Sequence, residues 1–192
     1  MPRAFHSDQA LWLAFKKGDR DALDALFRAY YPGLYQYGLK IYGAPDFIEE
    51  SLQNFFLYLY DHRNNLTTPE RIKPYLFTAY RRKLLRQIEK YRSQKKSLEH
   101  TMPWQPDIHF SADEIIVKQE VETFQKELLL EMLHQLPRRQ REVIYLRYYS
   151  DLNISEIAEV LSITYQGTVN TLHKAIKALR RNSKLKRIRA FL

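Results

Sequence analysis

No stretch of the chain restricts its fold more than residues 153–181, NISEIAEVLSITYQGTVNTLHKAIKALRR. Ile157, Ala158, Leu161 and Ile163, then Leu172, Ala175, Ile176 and Leu179, fall into two helical patterns separated by a short turn at residues 162–164. Asn153 with Glu156 three residues on predicts a capping box for the first helix, and Thr164 predicts a cap for the second. On the second helix Thr168, Leu172, Ala175, Ile176 and Leu179 make an inward stripe, which turns Tyr165, Gln166, Val169, Asn170, His173 and Lys174 outward. Short, polar or cationic residues on an exposed helix face suit the DNA major groove. Two amphipathic helices of any bundle show the same periodicity, so this stretch alone leaves a plain helical hairpin open.

The distribution of charge favours a nucleic-acid partner. The 192 residues carry a formal net charge of +9. Residues 1–60 are near neutral (−1), residues 61–97 carry +8, residues 98–135 carry −6 and residues 136–192 carry +8. Two basic blocks divided by an acidic one point to two phosphate-binding modules, since a merely solvated surface would intersperse both signs. With 45% hydrophobic and 14% aromatic residues the chain can bury a core and is not disordered. It has no cysteine, which excludes disulfides and thiolate zinc and suits a reducing compartment. His6, His62, His100, His109, His134 and His173 are too scattered to suggest a metal ligand set. The first residues lack a secretory leader pattern, and no run approaches the roughly 18 apolar residues that span a bilayer. The expectation is a soluble cytoplasmic protein without membrane insertion.

From the start, residues 8–17 predict a short helix ending near Gly18. Asp19 caps a longer one that Gly43 stops, with Pro32 expected to kink or split it. Tyr30, Tyr31, Tyr35, Tyr37 and Tyr42 are read as core and rim in preference to a base-stacking platform. Residues 46–60 predict an apolar helix with Ile48, Leu52, Phe55, Phe56 and Leu59 inward. Its other face carries Glu49, Glu50, Gln53, Asn54 and Leu57, which is either simply solvated or docks a basic protein. Residues 61–74 form a polar loop in which Leu66 stands alone, and such a loop can read extruded bases, although most loops do not. Residues 75–96 predict a basic amphipathic helix with Leu76, Ala79, Leu84, Leu85 and Ile88 inside and Arg81, Arg82, Lys83, Arg86, Lys90, Arg92, Lys95 and Lys96 mostly outside. Tyr75, Phe77 and Tyr80 interleave at its entrance and suggest stacking on a distorted or single-stranded nucleic acid; a membrane surface would also attract the helix. Residues 97–110 read as a linker. Ser111 with Glu114 opens an acidic helix, and Pro137 a further one over residues 138–149, with Val143, Ile144, Leu146 and Tyr148 available for packing.

Two segments resemble one family, the bacterial extracytoplasmic-function sigma factors of the sigma-70 family. LPRRQREVIYLRYYSDLNISEIAEVLSITYQGTVNTLHKAIKALRR is similar to the family's region four. EESLQNFFLYLY is similar to the part of region two that grips the polymerase clamp, and YLFTAYRRKLLRQI to the helix facing the promoter's upstream melting element. The resemblance implies an all-α fold of two small domains, with residues 1–96 region-two-like, 97–110 a flexible linker and 111–192 a region-four-like helix-turn-helix. It places Glu49, Glu50, Gln53, Asn54 and Leu57 on the polymerase-docking face, Asn54 standing where the family usually has an acidic residue. Asn65, Leu66 and Thr67 would capture a flipped base of the minus-ten element, with Arg81, Arg82 and Arg86 on adjacent DNA. Tyr165, Gln166, Val169, Asn170, His173 and Lys174 would meet the minus-thirty-five element. Ser162 replaces a frequent turn glycine, so a left-handed backbone there would cost about 1 kcal/mol or more.

The function expected is therefore that of a promoter-recognition subunit whose partners are core RNA polymerase and promoter DNA, with an inhibitory anti-sigma factor as a frequent addition in the family. No glycine-rich phosphate loop, metal set or nucleophile constellation is present in the sequence, so neither catalysis nor a cofactor is expected. The alternative is a stand-alone helix-turn-helix regulator that binds duplex DNA without polymerase; it has no use for the face from Glu49 to Leu57.

Overall fold

In the computed structural model, residues 5–94, 105–111 and 123–181 are described. They form eight α-helices and one 3₁₀ turn, and among these residues there is no strand. The chain divides into two compact units, Met1–Trp104 and Gln105–Leu192.

The first unit is built on four helices whose ends are set by local chemistry. α1 (Asp8–Lys16) starts where Ser7 accepts a hydrogen bond from the Ala10 N–H at 3.1 Å. Gly18, at φ +83°, turns the chain into α2 (Arg20–Tyr42), whose first N–H groups donate to the Asp19 carboxylate. Gly43 ends α2 in the left-handed region. Pro32 does not split this helix. A mid-helix proline costs about 3 kcal/mol or more, but α2 buries Ala22, Leu26, Leu34, Tyr37 and Ile41 on both sides of it, which outweighs the lost bond. α3 (Pro45–Asp61) and α4 (Ile72–Gln94) complete the unit, joined through a 3₁₀ turn at Arg63–Asn65. α4 begins three residues before the sequence pattern suggested, with Pro74 in its first turn, where no N–H is needed.

The core of this unit is strongly aromatic: Trp12, Phe15, Tyr37, Phe55, Phe77 and Tyr80 are all almost fully buried. That corrects the stacking role suggested for Phe77 and Tyr80, because with Leu84 and Ile88 they form an inward stripe on α4. Gly38 lets the helices approach: a Cβ there would stand 2.8 Å from the Tyr80 hydroxyl and 2.9 Å from Ile48.

The second unit holds α5 (Thr123–Gln135), α6 (Arg138–Tyr148), α7 (Ile154–Leu161) and α8 (Tyr165–Arg181). Residues 105–110, placed in the linker by sequence, pack on this unit. Ile108 and Phe110 are buried, Phe110 lies 5.4 Å from the Tyr149 ring, and Asp107 pairs with Arg141 and, at 3.1 Å, with Arg138. The acidic opening of the helix announced by Ser111 and Glu114 lies outside the described residues. In α6, Val143, Ile144 and Leu146 are buried as expected, but Tyr148 is half exposed and Tyr145 takes its place inside.

Candidate nucleic-acid interface

The geometry of residues 153–181 follows from its caps. The Asn153 side chain accepts from the Glu156 N–H at 3.0 Å while the Glu156 carboxylate accepts from the Asn153 N–H at 2.7 Å, so the capping box is complete. Ser162 ends α7 at φ 52°, ψ 48°, and its own N–H and that of Ile163 return to carbonyls of α7. α8 is then capped by Thr164, whose hydroxyl accepts from the Gly167 N–H at 3.0 Å. A Cβ at position 167 would lie 3.0 Å from that hydroxyl, so glycine gives the cap its room.

On α8, Thr168, Ala175 and Leu179 are buried and Leu172 and Ile176 half-buried, as the periodicity predicted. Tyr165, Gln166, Asn170, His173 and Lys174 are exposed and Val169 is half-buried. The Gln166 amide donates to the Asn170 side-chain oxygen at 3.1 Å, which orients Asn170 with its own amide hydrogens free to point outward.

In the first unit, Glu49, Glu50, Gln53, Asn54 and Leu57 are all exposed on α3, and Leu57 is 61% accessible. An aromatic ladder on α2 lies beside them. Phe27, Tyr31 and Tyr35 stack at ring distances of 4.6 and 5.8 Å, Phe27 meets Phe56, and the Tyr35 hydroxyl donates to Glu49 at 3.3 Å. From the sequence, Tyr31 and Tyr35 were placed among core and rim tyrosines without being joined to Phe27; the signal for the ladder was the i, i+4, i+8 spacing of the three rings. Asn65 and Thr67 are exposed and Leu66 half-buried. Arg82 and Arg86 lie exposed one turn apart on α4, whereas Arg81 is half-buried. Lys83 belongs elsewhere: its ammonium donates to the Asn54 carbonyl at 2.6 Å and sits 5.1 Å over the Tyr58 ring, and burial holds its pKa below the usual lysine range.

The family model described as sigma-70, region 4 matches residues 126–179. The second unit is thus similar to sigma-70 region 4 over these residues. A solved structure of CnrH in complex with the cytosolic domain of CnrY is similar at 15% identity, with a TM-score of 0.59, covering 93% of this chain and 98% of that chain, which shows that the fold is shared. The structure of the RsbN–BldN complex is similar at 18% identity with a TM-score of 0.35, covering 88% of this chain and 97% of that chain. No curated protein matches.

Within the second unit, the arginines of α6 have structural work. Arg139 donates to the Leu161 carbonyl at 2.7 Å, closing the end of α7, and also reaches Glu142. Arg141 meets Asp107 and the His134 carbonyl, Arg138 meets Asp107, and Arg147 donates to the Leu152 carbonyl at 3.1 Å. Among the described residues of this block, Lys174, Lys177 and Arg180 are exposed on α8 while the four arginines of α6 are held within the unit, so its net charge includes cations that do not face phosphate; the basic tail after Arg181 lies outside the described residues. Among the described residues no group of three or more His, Asp or Glu side chains could hold a metal ion, and no helix is long and apolar enough to cross a membrane.

Proposed function

We propose that this chain is a cytoplasmic sigma factor of the extracytoplasmic-function kind, which binds core RNA polymerase and directs it to promoters without catalysing a reaction itself. The observation that carries this is the region 4 match over a helix-turn-helix whose outward face is polar and cationic. α8 lies in the major groove of the minus-thirty-five element, with Gln166 and Asn170 turned to base edges and Lys174 to phosphate. The exposed face of α3, extended by the Phe27–Tyr31–Tyr35 ladder, docks on polymerase. Asn65, Leu66 and Thr67 hold an unstacked base of the minus-ten element, and Arg82 and Arg86 neutralise adjacent phosphates, with Arg81 beside them. Base unstacking costs a few kcal/mol, which these contacts offset. CnrH was solved with the cytosolic domain of CnrY, and a partner protein that covers these faces is proposed here as the means of holding the factor inactive.

The test is to mix the full chain with core polymerase and genomic promoter fragments and to sequence the transcripts. Specific start sites that depend on the chain are expected. Tight duplex binding with no association with core polymerase would instead mark a stand-alone regulator.

A further inference from the structure

α1 has no place in the proposed contacts, yet its side chains converge on one distant segment. The Trp12 indole N–H donates to the Thr67 carbonyl at 3.0 Å, and the Lys16 ammonium donates to the Leu66 carbonyl at 2.5 Å. At the far end of the same segment the Ile72 N–H donates to Asp8 at 3.4 Å. Trp12 is fully buried and meets Tyr75 edge-on at 5.2 Å, and the Tyr75 hydroxyl is in hydrogen-bonding contact with the Thr67 side chain. The near end is held as well. Gly18 brings the turn after α1 against Arg63, whose Nε lies 3.3 Å from where a Cβ would stand, and Arg63 donates to the Tyr60 carbonyl at 2.7 Å.

Two consecutive carbonyls, those of Leu66 and Thr67, are thus turned toward α1 while the Asn65 and Thr67 side chains remain exposed. A polar loop pinned in this way is ordered before it meets a ligand, so the entropy of ordering is settled during folding instead of being subtracted from binding. Such ordering matters most for telling one ligand from another, because a loose loop adapts to several bases and a fixed one does not.

We infer that Trp12 and Lys16 are positioning residues that fix the backbone of the loop carrying Asn65, Leu66 and Thr67, so that this loop discriminates among unstacked bases. This rests on the proposal that the loop captures a promoter base. The donors reach the loop from 50 and 55 residues away in sequence.

The experiment uses the full chain bound to core polymerase and one promoter recovered from the transcription test. That promoter is prepared with a mismatch bubble over its melted element, in four versions that differ in the unpaired base most sensitive to Thr67→Ala. Trp12→Phe removes the donor and keeps an aromatic ring; Lys16→Met removes the ammonium; Lys16→Arg restores a donor. Trp12→Phe and Lys16→Met are expected to leave association with polymerase and binding to duplex minus-thirty-five DNA unchanged. They should lower the affinity ratio between the best and worst base about fivefold, the scale of one net hydrogen bond, with Lys16→Arg restoring most of it. If these variants lose thermal stability but keep the ratio, α1 only staples the fold and the inference is overturned. If Thr67→Ala changes the ratio and the α1 variants do not, the inference fails and the capture loop stands. A wild-type complex with no base preference in the bubble overturns both. Should Trp12→Phe not fold, Lys16→Met carries the test, since Lys16 is only half-buried.

Discussion

Ser162 holds a left-handed backbone, φ 52° and ψ 48°, between α7 and α8, where no Cβ is comfortable. The strain of a non-glycine residue there is about 1–2 kcal/mol, whereas glycine would return about 0.4–1 kcal/mol of it through a more flexible unfolded chain. Ser162→Gly should therefore stabilise the second unit by roughly 0.5 kcal/mol, and Ser162→Val should destabilise it by more than that, because a β-branched residue suits this region worst. Thermal unfolding measures both, at about 4–8 °C per kcal/mol for a unit of this size. A second residue-scale effect concerns pH. Burial first, and the Asp8 carboxylate next, push the Tyr30 hydroxyl from 10 up to about 12, and burial also raises Tyr75 and Tyr80. The folded chain then keeps protons that the unfolded chain releases, so this stability is complete below pH 10 and is lost as the pH rises from 10 to 12. Tyr30→Phe should flatten that alkaline loss in a denaturation series. An unchanged slope would show that Tyr30 is not the group responsible.

At the scale of elements, the parts of the fold legible in the sequence are those set within one or two helical turns. The Asn153–Glu156 box, the Asp19 and Thr164 caps and the Gly43 stop were all readable, because capping acts over three or four residues. The outward face of α8 and the inward face of α3 followed from 3.6-residue spacing. On α4 the spacing placed Leu84 and Ile88 inside, but the neighbouring cations obscured that Phe77 and Tyr80 extend the same core stripe. What could not be read was any bond between distant residues: Trp12 to Thr67, Lys83 to Asn54 and Arg139 to Leu161 all depend on how helices pack. The bond between Gln166 and Asn170 on α8 gives the prediction at this scale. Asn170→Ala should change base preference at one or two positions, with a cost of about 1–3 kcal/mol at the preferred base. Gln166→Ala should weaken that same preference by freeing the Asn170 rotamer. Lys174→Ala should lower affinity evenly across sequences, and duplex binding to a randomised minus-thirty-five library separates these effects. If Asn170→Ala and Lys174→Ala both shift affinity equally for all sequences, Asn170 reads no base.

At the scale of the whole molecule, each unit contains cations of two kinds, and salt dependence tells them apart. Those committed inside the fold include Lys16, Arg63 and Lys83 in the first unit and Arg138, Arg139, Arg141 and Arg147 in the second, each bonded to a carbonyl or carboxylate. Those exposed include Arg82 and Arg86 on α4 and Lys174 and Lys177 on α8. A cation that meets a DNA phosphate releases a counterion, which steepens the fall of log affinity with log salt by about 0.9 per contact; a cation bonded within the protein adds nothing. For the chain bound to core polymerase on its promoter, Arg82→Gln with Arg86→Gln should reduce that slope by about 2, and Lys174→Gln with Lys177→Gln by up to the same amount. If both units grip one promoter, the two reductions add when the pairs are combined, since the contacts are independent. Arg139→Gln should leave the slope unchanged and lower the melting temperature of the second unit, because it frees the Leu161 carbonyl at the end of α7 and one side of Glu142. A slope that responds to the α8 pair and not to the α4 pair would remove the first unit from DNA and leave it to polymerase alone.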